Sequence, residues 1–138
     1  MGIKQISVFL ENNAGRLAEV TRTLAYAGIN IRAISIADTA DFGILRLIVD
    51  KCDDALQALT LGGFTTRVSD VAAIEIDDSP GSLARIMELF RQSQVNIEYL
   101  YASLEGKAGK AVVIFKLADH GKGLSIIKEN GLPTVEKF

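Results

Sequence analysis

The chain has 138 residues, 49% of them hydrophobic, with 15 basic and 17 acidic side chains and a net charge of −2. This acidic balance disfavours binding to nucleic acid or to an anionic membrane, and no apolar run approaches the roughly 18 residues that span a bilayer. The single Cys and single His exclude an internal disulfide and a His-rich metal site. The composition therefore predicts a cytoplasmic protein with no cofactor, no metal and no nucleic-acid or membrane partner.

The first half of the chain predicts a strand, a helix, two strands, a second helix and a last strand. Alternating apolar residues from Ile6 to Leu10 predict a half-buried strand. Asn13 is predicted to cap a helix, because the apolar residues from Leu17 to Leu24 recur at helical spacing. The remaining elements are strands Ile29–Ala37 and Phe42–Asp50, a helix carrying Leu56 and Leu59 that ends at Gly62-Gly63, and strand Phe64–Val68.

The second half repeats the first. At one constant offset, Gly15-Arg16-Leu17-Ala18 aligns with Gly81-Ser82-Leu83-Ala84, and Ile29-Asn30-Ile31 aligns with Val95-Asn96-Ile97. The later part aligns at an offset two residues larger. Ser79 and Pro80 are predicted to be the cap and first helical residue of the repeated helix. The other repeated elements are strands Asn96–Ser103 and Lys110–Leu117, a helix carrying Leu124 and Ile127 that ends at Asn130-Gly131, and strand Pro133–Lys137.

This duplication predicts an α+β protein built from two ferredoxin-like βαββαβ domains. In each domain, two helices are expected to pack on one face of a four-stranded antiparallel sheet. The chain offers a single candidate boundary, at Ser69-Asp70. We therefore expect one domain over residues 1–69 and a second over residues 70–138.

The turn from the first strand to the first helix is the feature that points to a ligand. It is Glu11-Asn12-Asn13-Ala14-Gly15-Arg16-Leu17 in the first copy and Asp77-Asp78-Ser79-Pro80-Gly81-Ser82-Leu83 in the second. A Gly in the first turn lets a ligand approach the backbone, and the start of a helix favours a carboxylate. Asn12 or Asp78 is then placed to take an amino group. The alternative is an ordinary helix cap with a Gly that only permits close packing.

Two short motifs occur in the same order in both copies. They are (Asn/Asp)-x-Pro-Gly-x-Leu before the helix and (Ile/Val)-Asn-Ile after it. Together they resemble the ACT domain, a regulatory module that binds amino acids, usually between two domains whose sheets lie side by side. The resemblance implies these ligand-binding positions: Asn12, Ala14, Gly15, Leu17, Asn30 and Ile31 in the first copy, and Asp78, Pro80, Gly81, Leu83, Asn96 and Ile97 in the second.

Each copy departs from the family pattern in one place. Ala14 replaces the Pro in the first copy, which is a mild change. In the second copy Asp78 replaces the common amide and follows Asp77, so that the two acids would repel a ligand carboxylate. Asn30 and Asn96 also suit ordinary turns after a helix. We therefore expect the first copy to hold the better amino-acid site.

Catalytic residues are not apparent in the sequence, so we expect no enzyme activity. Cys52 is followed by Asp53-Asp54 and lacks the basic neighbours that would activate a thiol. The first functional hypothesis is an amino-acid-binding regulatory protein without a catalytic domain, which forms a homodimer and acts on a metabolic enzyme or on a second copy. The alternative is a regulatory or interaction subunit of an amino-acid biosynthetic enzyme, with vestigial ligand sites.

Overall fold

The structure, a computed structural model, describes residues 2–38, 42–104 and 106–138. The described chain divides into two compact units, one formed by Lys4–Ser69 with Phe138, and the other by Asp70–Lys137 with the start of the chain. Strands β1 to β6 and helices α1 to α4 occur in the order β1 Ile3–Glu11, α1 Arg16–Tyr26, β2 Ile31–Asp38, β3 Phe42–Val49, α2 Cys52–Leu61, β4 Thr65–Asp77, α3 Ser82–Gln92, β5 Ile97–Ala102, β6 Lys110–Leu117 and α4 His120–Glu129.

In the first unit the strands lie in the order β2-β3-β1-β4, and β3 pairs antiparallel with both β1 and β2. Every second residue of β1 from Ile6 to Leu10 faces the two helices, as the alternation predicts. The helices and strands share one apolar core, whose buried members are Ile6, Val8, Leu10, Val20, Leu24, Ile29, Leu45, Leu47, Ala55, Leu59 and Phe64.

The second unit repeats this plan with the strands β4, β6 and β5, again paired antiparallel. Its pairs correspond to those of the first unit: Ile76 opposes Ala111 as Leu10 opposes Gly43. The repeat seen in the sequence is therefore a repeat of strand register. The buried core residues are Ala72, Ile74, Ile86, Phe90, Val95, Val113, Phe115, Leu117, Ile126 and Ile127.

Two predicted strands differ in the structure. The strand predicted at Phe64–Val68 is the beginning of β4. This strand has 13 residues and runs from Thr65 through the expected domain boundary to Asp77. The strand predicted at Pro133–Lys137 is reduced to one bridge, between Ile74 and Thr134. Pro133 accepts a hydrogen bond through its carbonyl oxygen from the Glu75 N–H at 2.9 Å, but it has no N–H to donate to a ladder. The α+β class is confirmed, while the second unit lacks its predicted fourth strand.

Candidate functional site

The turn between β1 and α1 is a tight turn with Gly15 at its third position. Gly15 has φ 89° and ψ −13°, which are the angles of the third residue of a type II turn. The Arg16 N–H donates to the Asn13 carbonyl oxygen at 3.4 Å and closes the turn. Helix α1 therefore begins after Gly15, and the prediction that Asn13 caps it is wrong. The Asn13 side chain donates instead to the Glu11 carboxylate at 3.2 Å.

The second unit has the same turn, with Gly81 at φ 88° and ψ −11°. The Ser82 N–H donates to the Ser79 carbonyl oxygen at 3.3 Å. The prediction of a Ser79 cap and of Pro80 as the first helical residue is therefore also wrong. Pro80 fits the second position of a type II turn because this position needs the φ that its ring fixes.

The first turn of α1 has backbone N–H groups without a helical acceptor. The first helical bond runs from the Glu19 N–H to the Gly15 carbonyl oxygen at 2.9 Å. The N–H groups of Leu17 and Ala18 therefore precede any helical acceptor, and the positive end of the helix dipole lies at the same place. An anion is favoured at this position.

A cavity of about 160 Å³ lies beside this turn, within the first unit. The cavity is lined by apolar, amide and charged residues from β1, the turn, α1, β2 and β3. Its lining residues are Leu10, Glu11, Asn12, Asn13, Arg16, Leu17, Ile36, Asp38 and Gly43.

The cavity exists because β3, the strand between β1 and β2, has a glycine beside the turn. Gly43 of β3 opposes Leu10 of β1 on one side and Asp38 of β2 on the other. Opposed residues of a sheet project on the same face, so a side chain at Gly43 would fill the space between its two neighbours. A Cβ atom there would lie 3.3 Å from Cδ1 of Ile36, the flexible end of a side chain. The glycine is thus the floor of the cavity.

The charges around the cavity are unequal. Of the described residues that line it, Arg16 is the single basic one, against Glu11 and Asp38. The Arg16 guanidinium pairs with the Glu19 carboxylate at 2.6 Å and lies 5.0 Å from the ring centroid of Phe64. Glu19 thus pairs with one nitrogen of Arg16, while the buried Nε of Arg16 has no hydrogen-bond partner among the described residues.

The structure separates the six ligand positions implied for the first copy into two groups. Asn12 and Leu17 line the cavity, and Ala14 and Gly15 form the turn beside it. Asn30 and Ile31 lie at the other end of β2, which at 3.3 Å per residue is about 23 Å long.

Two hydrogen bonds, one to the Asp50 side chain and one between backbone groups, join Asn30 and Asp50 at that far end. The Asn30 N–H donates to Asp50 Oδ1 at 3.0 Å, and the Asp50 N–H donates to the Asn30 carbonyl oxygen at 3.2 Å. The first unit by itself therefore does not bring together the six ligand positions implied for the first copy.

The second unit has different residues at the corresponding positions. Ala111 stands where the first unit has Gly43, and Lys110 stands where it has Phe42. The Lys110 ammonium forms an ion pair with Asp77, the counterpart of Glu11. This hydrogen bond and the charge of Lys110 lower the pKa of Asp77, and Asp77 raises the pKa of Lys110 by the same two effects.

A cavity of about 210 Å³ in this unit lies between the end of β4, α3 and Pro133. None of the six positions implied for the second copy lines it: Asp78, Pro80, Gly81, Leu83, Asn96 and Ile97.

Seven cavity residues were absent from the sequence-based set, namely Leu10, Glu11, Asn13, Arg16, Ile36, Asp38 and Gly43. Gly43 carried one usable signal, since a glycine within a strand often marks a close approach of another group. The other six become neighbours only through the strand register and the turn.

Other features of the described residues give no competing site. No group of three or more His, Cys, Asp or Glu side chains is placed to hold a metal ion within the described ranges. No described helix is long and apolar enough to cross a membrane. Burial and the negative charge of Asp53 raise the pKa of the Cys52 thiol, which disfavours a reactive thiolate.

Comparison with known proteins gives one family match and three matches to solved structures. The chain matches, over residues 1–137, a family model described as an ACT domain pair. A Bacteroides thetaiotaomicron protein of solved structure is 38% identical, with a TM-score of 0.92 over 98% of this chain and 92% of that one. The ligand-free regulatory subunit of aspartate kinase from Thermus thermophilus is 21% identical, with a TM-score of 0.67 over 91% of this chain and 91% of that one.

The Thermus flavus regulatory subunit of aspartate kinase is also 21% identical, with a TM-score of 0.61 over 91% of this chain and 90% of that one. At this identity, the likeness to the two Thermus subunits shows a shared fold. No curated protein matches the chain.

Proposed function

The chain belongs to the ACT domain family, as its paired motifs predicted, and on this premise we propose that it is an amino-acid-binding regulatory protein and not an enzyme. The proposed ligand site is the turn from β1 to α1 in the first unit. The observation that carries the proposal is the cavity at this turn, where the start of α1, the turn residues and Asp38 line one small space.

The lining of the cavity matches the groups of a free amino acid. The N–H groups of Leu17 and Ala18 and the positive end of the helix dipole suit the α-carboxylate. Glu11 and the Asn12 amide suit the α-ammonium group. Leu10, which is buried, and the other apolar lining residues provide contacts for a side chain.

The size of the cavity limits the ligand. A volume of about 160 Å³ is below the roughly 300–1,000 Å³ typical of pockets for drug-sized molecules and cofactors. A dinucleotide or a flavin is too large for it. A single amino acid is of the appropriate size.

A homodimer would complete the site. Asn30 and Ile31 belong to the implied ligand set, but Ile31 lies about 17 Å along β2 from Ile36, the nearest lining residue on that strand. If β2 pairs antiparallel with β2 of a second copy, the start of one strand lies beside the end of the other. β2 is an edge strand in its unit, and Ile34 and Ile36 on it are 38% and 50% exposed. Such an edge favours strand pairing.

The proposed mechanism is linkage between ligand binding and assembly. A ligand held between two copies stabilises the arrangement that binds it, and that arrangement binds the ligand more tightly. The regulated target is a second copy of the chain or a separate enzyme of amino-acid metabolism.

One observation favours a second candidate function for half of the chain. In the second unit, Asp77 is already paired with Lys110, and Ala111 replaces the glycine. This unit suits a structural role, as in a regulatory subunit of an amino-acid biosynthetic enzyme with vestigial sites. Co-purification with such an enzyme, combined with no amino-acid binding, would select this alternative.

The direct test is a thermal-shift screen of the full chain against the twenty amino acids at millimolar concentration. We expect at least one to raise the melting temperature, because a ligand that binds only the folded state stabilises it by mass action. Sedimentation with and without that amino acid tests the homodimer. No shift with any amino acid would refute ligand binding, and a monomer in both conditions would refute the assembly.

A further inference from the structure

We infer that the cavity of about 210 Å³ in the second unit is a further binding site, which takes a small aliphatic carboxylate on Arg85 and the Ser82 hydroxyl. This site is separate from the first-unit turn and goes beyond the proposed function. Three features of the structure support it. The first unit fills the equivalent space with one of its own side chains, the charge beside that space is reversed between the units, and the rest of the wall is apolar.

The first unit holds the side chain of Arg16 at the equivalent place. The Arg16 guanidinium lies 5.0 Å from the ring centroid of Phe64. In the sequence repeat, Ser82 is the counterpart of Arg16 and Leu132 is the counterpart of Phe64. Both replacements are smaller, and both line the cavity of the second unit. This cavity therefore lies where the first unit places an arginine side chain on an aromatic ring.

The charge beside this space is opposite in the two units. In the first unit the Arg16 guanidinium pairs at 2.6 Å with Glu19, three residues along the helix. The counterpart of Glu19 is Arg85, which lines the cavity. Within the described ranges, the Arg85 side chain has neither a hydrogen bond nor an ion pair. A carboxylate in the cavity would form the same kind of pair with the two charges exchanged.

Ser82 adds a buried hydroxyl to the same side of the cavity. Ser82 is 7% exposed, and its Oγ lies 2.9 Å from Oγ of Ser79. Either hydroxyl can donate in this pair, and when Ser79 donates, the proton of the Ser82 hydroxyl is available to a ligand oxygen. Ser82 and Arg85 are three residues apart on α3, so their side chains lie on one side of the helix. A single carboxylate can therefore accept from both.

The acidic residues of this cavity lie away from Arg85 or are already paired. Ile76 packs against the core beneath the helices, so alternation along β4 places the side chains of Glu75 and Asp77 on the opposite face of the sheet. Lys110 is the main cause of the lowered pKa of Asp77, through its hydrogen bond and its charge, and Arg85 adds a weaker charge effect. Among the described lining residues, the helix side therefore presents Arg85 without a competing carboxylate.

The rest of the wall on the helix side determines the other part of the ligand. It is apolar and consists of Ile76, Ile86, Leu89, Leu132 and Pro133. Each methylene group that leaves water for such a wall contributes about 0.8 kcal/mol when it is fully buried. The volume of about 210 Å³ is below the roughly 300 Å³ at which pockets for drug-sized molecules begin. A short branched aliphatic chain with one carboxylate matches both the wall and the size.

Three molecules with the same branched chain and different head groups test the site: isocaproate, isocaproamide and isohexylamine. Each is titrated into the full chain and followed by two-dimensional NMR of the backbone amides. We expect isocaproate to bind about fivefold more tightly than the uncharged amide, as for a solvent-accessible ion pair, and the amine to bind most weakly. The largest shifts should occur at the start of α3 and at Leu132. Equal affinities of isocaproate and isocaproamide, the absence of binding by all three, or the largest shifts in the first unit would overturn the inference.

Arg85→Gln should remove the preference for isocaproate and leave isocaproamide binding unchanged. Arg22→Gln, at an exposed position of α1 that lines neither cavity, is the matched control and should keep the preference. Ser82→Arg combined with Arg85→Glu reproduces the pair of the first unit and should abolish binding of all three molecules, because the longer side chain fills the cavity. A preference that survives Arg85→Gln, or binding that survives the double variant, would overturn the inference. Either result leaves the proposed function intact, since its site lies in the other unit.

Discussion

Gly43 on β3 lies directly opposite Asp38 on β2. Because Gly43 has no side chain, Asp38 borders an open space. The same glycine opposes Leu10 on β1. The first unit therefore has a gap at the level where the sheet meets the turn before α1. The corresponding gap in the second unit is occupied by Ala111.

Filling this gap should block the ligand without unfolding the protein. We expect Gly43→Val to reduce amino-acid affinity at least tenfold, because its side chain would occupy the cavity floor. A valine suits a strand, and its nearest neighbour would be the flexible end of Ile36, so the stability should change by about 1 kcal/mol or less. Ala111→Val in the second unit is the control and should retain the affinity. Calorimetric titration and urea denaturation measure the two effects, and equal affinities of the two variants would contradict the site.

The two type II turns predict a matched pair of stability losses. Gly15 and Gly81 have φ 89° and 88°, and an added Cβ atom would meet nothing within 4 Å at either position. The cost of Gly15→Ala or Gly81→Ala is therefore backbone strain alone, about 1 kcal/mol for each. Urea denaturation should show similar losses for both variants. A stability equal to that of the natural protein would mean that the turns have another conformation.

Helix α4 contains two glycines with opposite expected responses. A Cβ atom at Gly123 would lie 2.1 Å from Cδ1 of the buried Leu117, whereas at Gly121 the nearest atom is 3.9 Å away. Gly123→Ala should therefore destabilise the protein by about 1–3 kcal/mol through overpacking. Gly121→Ala should stabilise it by up to about 1 kcal/mol through helix propensity. Thermal denaturation of the pair tests the packing of α4, and equal melting temperatures would contradict it.

The Asp77–Lys110 ion pair predicts a small, pH-dependent contribution to stability. The pKa of Asp77 is lowered from 3.8 in the folded state, so the contribution is present above pH 3.8 and is lost as the pH falls through the folded-state pKa. The natural protein should be slightly more stable than Asp77→Asn at pH 7, and the difference should disappear in acid and shrink in high salt. Denaturant midpoints at the two pH values measure it. A difference that persists in acid would have another origin.

The fold was largely predictable because it depends on local periodicity. The spacing predicted strand Lys110–Leu117 with the bounds of β6, and alternation placed Ile6 on the core face of β1. The turns were less certain because Pro80 suits both the first position of a helix and the second position of a type II turn. The positive φ of Gly81 decides between them, and this angle depends on the closing hydrogen bond from Ser82.

The cavity was not predictable from the spacing of residues. Leu10, Asp38 and Gly43 come from three strands, and only the register of β1, β3 and β2 brings them together. Motif comparison identified Asn12 and Leu17, which line the cavity, because both belong to the turn itself. The ion pair of Asp77 could not be predicted from the sequence either, because its partner, Lys110, lies 33 residues away on another strand.

The lysine that pairs with Asp77 has a consequence for how titrations should be interpreted. If one half of the duplicated chain carries its own ammonium group and the other half accepts one from solution, saturation requires one ligand per chain and not two. Any sigmoidal binding curve would then report communication between separate copies of the protein. A stoichiometry of one with a Hill coefficient above one would thus be evidence of assembly, obtained from a single binding isotherm.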